Sequence, residues 1–206
     1  MPFSAQHIKT ALTHLKKSDP VMRQVIRSIG PFTHKLSRHR FDMLVNSILS
    51  QQISVAAAST IKQRLRELAN QKVFTSETIL ELDVETLRSI GVSRQKANYI
   101  LDLSEKTANG SVNFRGFSKK NNEEIIQELT SVRGIGRWTA QMFLMFSMGR
   151  LDIFPSDDLG LRNSMIQLYD LPESPNKKDL AAVAEKWQPY ATVACWYCWK
   201  SLDSPK

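Results

Sequence analysis

Between Leu129 and Met165 the chain reads LTSVRGIGRWTAQMFLMFSMGRLDIFPSDDLGLRNSM. Its apolar residues recur three and four positions apart, stop at Gly134-Ile135-Gly136, and resume immediately. That spacing lines one face of a helix, and two glycines around a single apolar residue break the helix into a hairpin. Glycine serves there because it accepts positive φ and carries no side chain to obstruct a close neighbour. Pro155-Ser156 then leads into two adjacent acids, Asp157 and Asp158, placed where another helix should begin.

The same period runs through the rest of the chain. Ile8, Leu12 and Leu15, then Val21, Val25 and Ile29, predict two short helices divided at Asp19-Pro20. Phe41, Leu44, Val45, Ile48 and Leu49 predict a core-facing helix that ends in Ser50-Gln51-Gln52-Ile53-Ser54. Ser54 has the chemistry of an N-cap for the next helix, through Leu68. Short helical turns are expected at 78–82 and 84–90, a break at Gly91-Val92-Ser93, and a helix at 96–103. The segment 87–101, LRSIGVSRQKANYIL, faintly resembles 129–144, too faintly to count as a repeat. After a loop-like interval at 108–120, helices are expected from 123 to the hairpin, from 138 to 148, from about Asp157 to Tyr169, and around 180–187 and 191–199. Almost nothing alternates with period two, so the fold class expected is all-α.

At 206 residues and 42% hydrophobic content the chain can bury a core without covalent staples. Cys195 and Cys198 are its two cysteines, which implies no disulfide framework and a reducing compartment. Neither a secretory leader nor an apolar run long enough for a bilayer is apparent, so a soluble intracellular protein with no membrane partner is expected. Its formal charge of +8 favours a polyanionic partner. The basic clusters are short and scattered, and most of them read equally well as solvated helix faces.

A Gly-x-Gly hairpin followed at once by a helix offers backbone N–H groups and the positive end of a helix dipole, for which phosphate is the natural ligand. Such contacts position a duplex without reading its sequence. The plainer reading is a capping glycine and a tight turn with no ligand. Asp157-Asp158 likewise reads either as a capping pair or as a functional carboxylate; here Ser156 or Asp157 is expected to cap while Asp158 acts. Arg162, four residues on, would either pair with Asp158 along the helix or face solvent.

VRGIGRWTA resembles the hairpin of the helix-hairpin-helix DNA glycosylases, and Pro155-Ser156-Asp157-Asp158 resembles their catalytic aspartate loop. Asp158 follows Trp138 by 20 positions, the spacing of the alkylpurine branch typified by 3-methyladenine DNA glycosylase II. SILSQQISVAAAS and HLKKSDPVMRQVIRSIGP resemble that branch as well, so the likeness covers nearly the whole chain. It implies two helical lobes, 41–151 with the hairpin and 1–40 with 152–206, and an active-site cleft between them. It also implies a monofunctional glycosylase of base excision repair, acting on alkylated purines such as 3-methyladenine, 7-methylguanine, ethenoadenine or hypoxanthine rotated out of damaged double-stranded DNA.

By motif position Asp158 is the catalytic carboxylate, stabilising the positive charge that grows on the sugar as the bond breaks. Gly134, Ile135, Gly136, Arg137 and Thr139 would hold the DNA backbone. Trp138 stands where strand-cutting relatives carry a lysine whose amine attacks the sugar, so base removal without lyase activity is expected. Its indole suits an electron-poor or cationic purine. Met142 and Trp199 match positions that line the base pocket, although Met142 departs from the aromatic common there, and Trp196 competes with Trp199 for the register. Gln52 matches the wedge that fills the vacated stack, with Gln51 its competitor by one position.

No organic cofactor or divalent metal is implied for the chemistry. Two cysteines are too few for the iron–sulfur cluster of strand-cutting relatives, and His7, His14, His34 and His39 lie far away in sequence. The family hairpin commonly holds a monovalent cation on backbone carbonyls, here those of Thr130, Val132 and Ile135. A monomer is expected, cytoplasmic or nucleoid-bound in a prokaryote and nuclear in a eukaryote. Two alternatives remain open: a glycosylase for oxidised or mismatched bases, and a non-catalytic DNA-binding protein that uses the hairpin alone.

Overall fold

The computed structural model describes residues 3–203, and among them it holds twelve α-helices, two single-turn 3-10 helices and no strand. In chain order the helices are α1 (Ala5–Ser18), α2 (Pro20–Ile29), α3 (Arg40–Ser50), α4 (Val55–Leu68), α5 (Ser76–Leu80) and α6 (Val84–Ser89). They continue as α7 (Arg94–Ala108), α8 (Asn122–Thr130), α9 (Arg137–Phe146), α10 (Leu159–Tyr169), α11 (Lys177–Ala184) and α12 (Ala191–Leu202). The expected all-α class is the class observed. The two ends of the chain, up to Leu36 and from Leu144 onward, cluster into one compact unit, and Ser37–Phe143 forms another.

The unit built from the chain ends is organised around α12, whose residues from Ala191 to Cys198 are all buried. A helix apolar on every side must be covered on every side, and α2, α10 and α1 pack against it. The predicted division at Asp19-Pro20 is present. Pro20 opens α2 where its missing N–H is no loss, and Asp19 caps it by accepting from the N–H groups of Val21 and Met22 at 2.9 and 3.0 Å. The other oxygen of this almost fully buried carboxylate accepts from Tyr169 Oη at 2.6 Å and Trp187 Nε1 at 3.0 Å. Four donors make the burial of a charge tolerable. Burial, reinforced by the bond to Asp19, drives the Tyr169 phenol far above its usual range.

In the Ser37–Phe143 unit, α3 buries the whole predicted face of Phe41, Leu44, Val45, Ile48 and Leu49. Each such side chain contributes about 1.5–3 kcal/mol on burial. Ser54 caps α4 as expected, its hydroxyl accepting from Ala57 N at 3.2 Å. The long helix α7 packs against α5, α6 and α3. It starts two residues earlier and ends five later than its apolar residues suggest, because Ser93 caps it and its later polar residues are used rather than solvated. Asp102 and Ser104 are buried among them.

Candidate functional site

The hairpin lies in the Ser37–Phe143 unit, between α8 and α9. Gly134 has a φ of +82°, and a Cβ built on it would stand 2.0 Å from Cδ2 of Tyr99. Only glycine meets both demands, a left-handed backbone and an aromatic ring pressed against it. Gly136 is different. Its φ is not positive, and nothing lies within 4 Å of where its Cβ would be. Its carbonyl accepts from Ala140 N at 3.1 Å and so starts α9. The first glycine is required by the fold; the second leaves open space at a helix N-terminus.

Helix α7 supports the hairpin from below. The Asp102 carboxylate accepts from the backbone N–H of Arg133 at 2.9 Å and from Lys106 Nζ at 3.1 Å, with Arg133 Nε at 3.2 Å from its other oxygen. Burial pushes the Asp102 carboxyl up, but the Arg133 N–H, Lys106 and the Arg133 side chain outweigh it and hold the group below the usual aspartate value. Lys106 also donates to Ser131 O. From the end of α3, Gln51 Nε2 donates to Gly134 O at 2.8 Å. The sequence reading missed Asp102, Lys106 and Tyr99. Their one sequence signal was the faint likeness of 87–101 to the hairpin segment, which flagged α7 without saying what it does.

The other expected hairpin residues divide by what they can offer. Ile135 and Thr139 are buried, which leaves their backbone rather than their side chains to offer. Arg137 is exposed and forms a two-pronged pair with Glu123, with Nη2 to Oε2 at 2.9 Å. An exposed pair of this kind is weak, so the guanidinium can exchange its carboxylate for another anion. The carbonyl of Val132 accepts from Ile135 N at 3.1 Å. It retains a second lone pair, and carbonyl oxygens at a helix C-terminus are the hard, partly negative donors an alkali cation takes.

Trp138, one residue into α9, is 44% exposed, which sets it apart from a core aromatic. Met142, one turn on, is buried. Between α3 and α4, Gln51 turns inward to the hairpin, whereas Gln52 is exposed in a left-handed conformation with φ of 55°. Left-handed backbone is unusual for a glutamine and costs about 1–3 kcal/mol, so it persists only where the surroundings impose it.

The acid loop lies in the unit built from the chain ends. Asp158 N donates to Pro155 O at 2.9 Å, closing a turn whose middle residues are Ser156 and Asp157. Neither residue is therefore placed to cap, contrary to expectation. Asp158 itself is the N-cap of α10, which begins at Leu159 rather than Asp157, and its Oδ1 accepts from Leu161 N at 2.6 Å. The same oxygen accepts from Trp199 Nε1 at 2.8 Å. Gly160 makes room for this contact, since a Cβ there would lie 3.3 Å from Asp158 Oδ1 and 3.4 Å from Trp199 Cδ1. Of the competing tryptophans, Trp196 is buried between Phe32 and Tyr197, and Trp199 adjoins the acid.

Arg162 follows neither alternative, because its Nη2 donates to Pro175 O at 2.8 Å while Asp157 pairs with Lys177 at 2.7 Å. Phe146 packs on Trp199 with ring centroids 5.8 Å apart, and His34 on Phe146 at 4.5 Å. Burial pushes the His34 imidazole down, which keeps it neutral at physiological pH. Cys195 and Cys198 are buried in α12; burial raises the Cys195 thiol well above its usual value and the Cys198 thiol to about 12, the state of an inert packing group. No helix among the described residues is long and apolar enough to cross a membrane.

A glycine hairpin opening a helix, and a carboxylate held at the start of another helix by an indole, define a class of protein. The chain matches the HhH-GPD superfamily of base excision DNA repair proteins over residues 45–189 and belongs to it. It is 33% identical to DNA-3-methyladenine glycosylase 1 of Schizosaccharomyces pombe over 205 residues, 95% of this chain and 90% of that one. Its fold matches the crystal structure of DNA-3-methyladenine glycosidase from Bacillus halodurans with a TM-score of 0.85 and 36% identity, over 93% of this chain and 88% of the other. It also matches the 3-methyladenine DNA glycosylase of S. pombe in complex with abasic DNA, with a TM-score of 0.83 and 32% identity over 95% and 97% of the two chains.

Proposed function

We propose that the protein is a monofunctional DNA glycosylase of base excision repair, which hydrolyses the N-glycosidic bond of alkylated purines rotated out of duplex DNA. The observation that carries the reading is Asp158, a carboxylate fixed by Leu161 N–H and Trp199 Nε1–H in a chain whose relatives are named for 3-methyladenine excision. Two donors on one oxygen, at the start of α10, fix where that carboxylate sits. Charge, rather than a transferable proton, is what this reaction needs. A purine methylated at N3 or N7 is already cationic and departs neutral with the bonding electrons, leaving the positive charge on the sugar. A fixed anion stabilises that sugar more than it stabilises the ground state. Asp158 then orients the water that adds to C1′ and accepts the proton this water loses.

In this reading the backbone N–H groups around Gly134 and Gly136 hold a phosphate, with Arg137 released from Glu123 to join them. The carbonyls of Thr130, Val132 and Ile135 would hold a monovalent cation, which would add positive charge to the phosphate site. Trp138 offers its indole face to the alkylated base with Met142 one turn on, Trp199 holds Asp158 through its indole N–H, and Gln52 fills the vacated stack. Trp138 has no amine with which to form a Schiff base, so the product is an intact strand with an abasic site.

The test is incubation of duplexes bearing methylated purines, hypoxanthine or ethenoadenine, with free base and strand breaks measured separately. Free base is expected from the methylated purines, with breaks appearing only after alkali. Breaks before alkali would refute the monofunctional assignment, and binding without release of any base would favour a non-catalytic DNA-binding protein.

A further inference from the structure

Lys96 is a lysine whose visible bonds go to backbone. From the first turn of α7 its Nζ donates to Leu49 O at 2.9 Å and to Gln51 O at 2.6 Å, the carbonyls at the C-terminal end of α3. A cation there meets the negative end of the helix dipole as well as two acceptors. Partial burial holds the ammonium below the usual lysine range. The two carbonyls bracket the turn at which α3 stops, and the next residue is Gln52, exposed and left-handed at φ 55°. On the other side of the same turn, the Gln51 side chain is bonded to Gly134 O of the hairpin. One short peptide segment is thus fixed from α7 through Lys96 and from the hairpin through Gln51, and these anchors are what hold Gln52 in a conformation it would not otherwise adopt.

We infer that Lys96 is a positioning residue for Gln52, and that Lys96, Gln51 and Gly134 make the stack-filling side chain and the phosphate-holding hairpin one mechanical piece. This rests on the proposed glycosylase reading. The arrangement has a use in base rotation. A hairpin seated on phosphate then presents Gln52 at a set distance from the backbone it holds, so the cost of ordering the wedge is met when the protein folds rather than when DNA binds.

The experiment compares single-turnover base release from one lesion in two settings: in a duplex, where the vacated stack must be filled, and in a single strand, where it need not be. Lys96→Met is expected to lower the duplex rate by about tenfold or more while changing the single-strand rate little. Lys96→Gln, whose amide NH2 can still donate but is shorter and uncharged, should fall between, and gives an answer if the methionine variant folds poorly. Gln52→Ala should show the same duplex-specific loss, and adding Lys96→Met to it should cost no more, because the two changes remove one function. Equal losses on both substrates, or full additivity with Gln52→Ala, would overturn the inference. Absence of base release by the unaltered protein on the duplex would instead count against the glycosylase reading, so the two failures are distinguishable.

Discussion

The hairpin and the acid loop each place a polar group at the start of a helix, but they are built in opposite ways. The hairpin is supported by side chains donated from elsewhere, Tyr99, Asp102 and Lys106 from α7 and Gln51 from α3, while its own outer backbone at Gly136 is left open. The acid loop supports itself. Its turn closes on Pro155, its Asp158 carboxylate is also its helix cap, and one indole completes the arrangement. A surface that must be approached by a bulky, flexible polyanion needs open backbone over a rigid base. A carboxylate that must hold one charge at one place needs donors that cannot drift. The difference follows from the two ligands proposed for them.

Gly134→Ala should break the contrast most severely. It forces a Cβ into the Tyr99 ring and a left-handed alanine into the turn, a cost of about 3 kcal/mol or more. Denaturant unfolding should show that loss, and DNA affinity should fall with it. Unchanged stability would mean that the hairpin is not pressed against α7 as described.

Asp102→Asn should come next, at about 1.5–3 kcal/mol, most of it from the Arg133 N–H and Lys106, since the Arg133 side chain is largely exposed and screened. Its pH dependence is a sharper check. Because the folded Asp102 carboxyl is held below the unfolded value, its contribution is fully present above about pH 4 and is lost as pH falls through the lower folded value. The gap in melting temperature between the protein and this variant should be constant at neutral pH and shrink below about pH 4. A gap that grows on acidification would have the wrong sign.

Trp199→Phe keeps a ring but removes the donor to Asp158. Loss of a bond to a carboxylate should lower kcat by about tenfold or more with KM little changed. A rise in KM alone would assign Trp199 to base binding and leave Asp158 to its helix cap. Gly136→Ala should be the mildest for folding, within about 0.5 kcal/mol, because its Cβ meets nothing, yet it should weaken DNA binding by crowding the approach to the hairpin. Binding that survives the change would place the phosphate elsewhere.

What could be read from sequence was local. The helical period, the Ser54 cap, the division at Asp19-Pro20 and the hairpin glycines depend on neighbours within a few positions, and each is found where expected. The assignment of caps in the acid loop failed because Pro155 closes a turn through Ser156 and Asp157, and a turn and a cap compete for the same residues. The supports of the hairpin were hidden for a different reason. Gln51 and Gly134 are 83 residues apart and Lys96 and Leu49 are 47 apart, and no periodicity in a single chain pairs them. Two glycines that look alike in sequence, Gly134 and Gly136, differ in their surroundings: the first is pressed against Tyr99, and an added Cβ on the second would meet nothing.

The central claim is that the hairpin holds DNA and Asp158 does the chemistry, and one paired measurement on Asp158→Asn tests it. Asparagine can still accept at the helix cap and from the Trp199 indole, so the fold and the hairpin should be undisturbed. On a methylated duplex its binding isotherm and salt slope should match those of the unaltered protein, while single-turnover base release falls by about 10²–10³-fold. Equal release by the two proteins, or a loss of release that merely follows a loss of binding, would contradict the account.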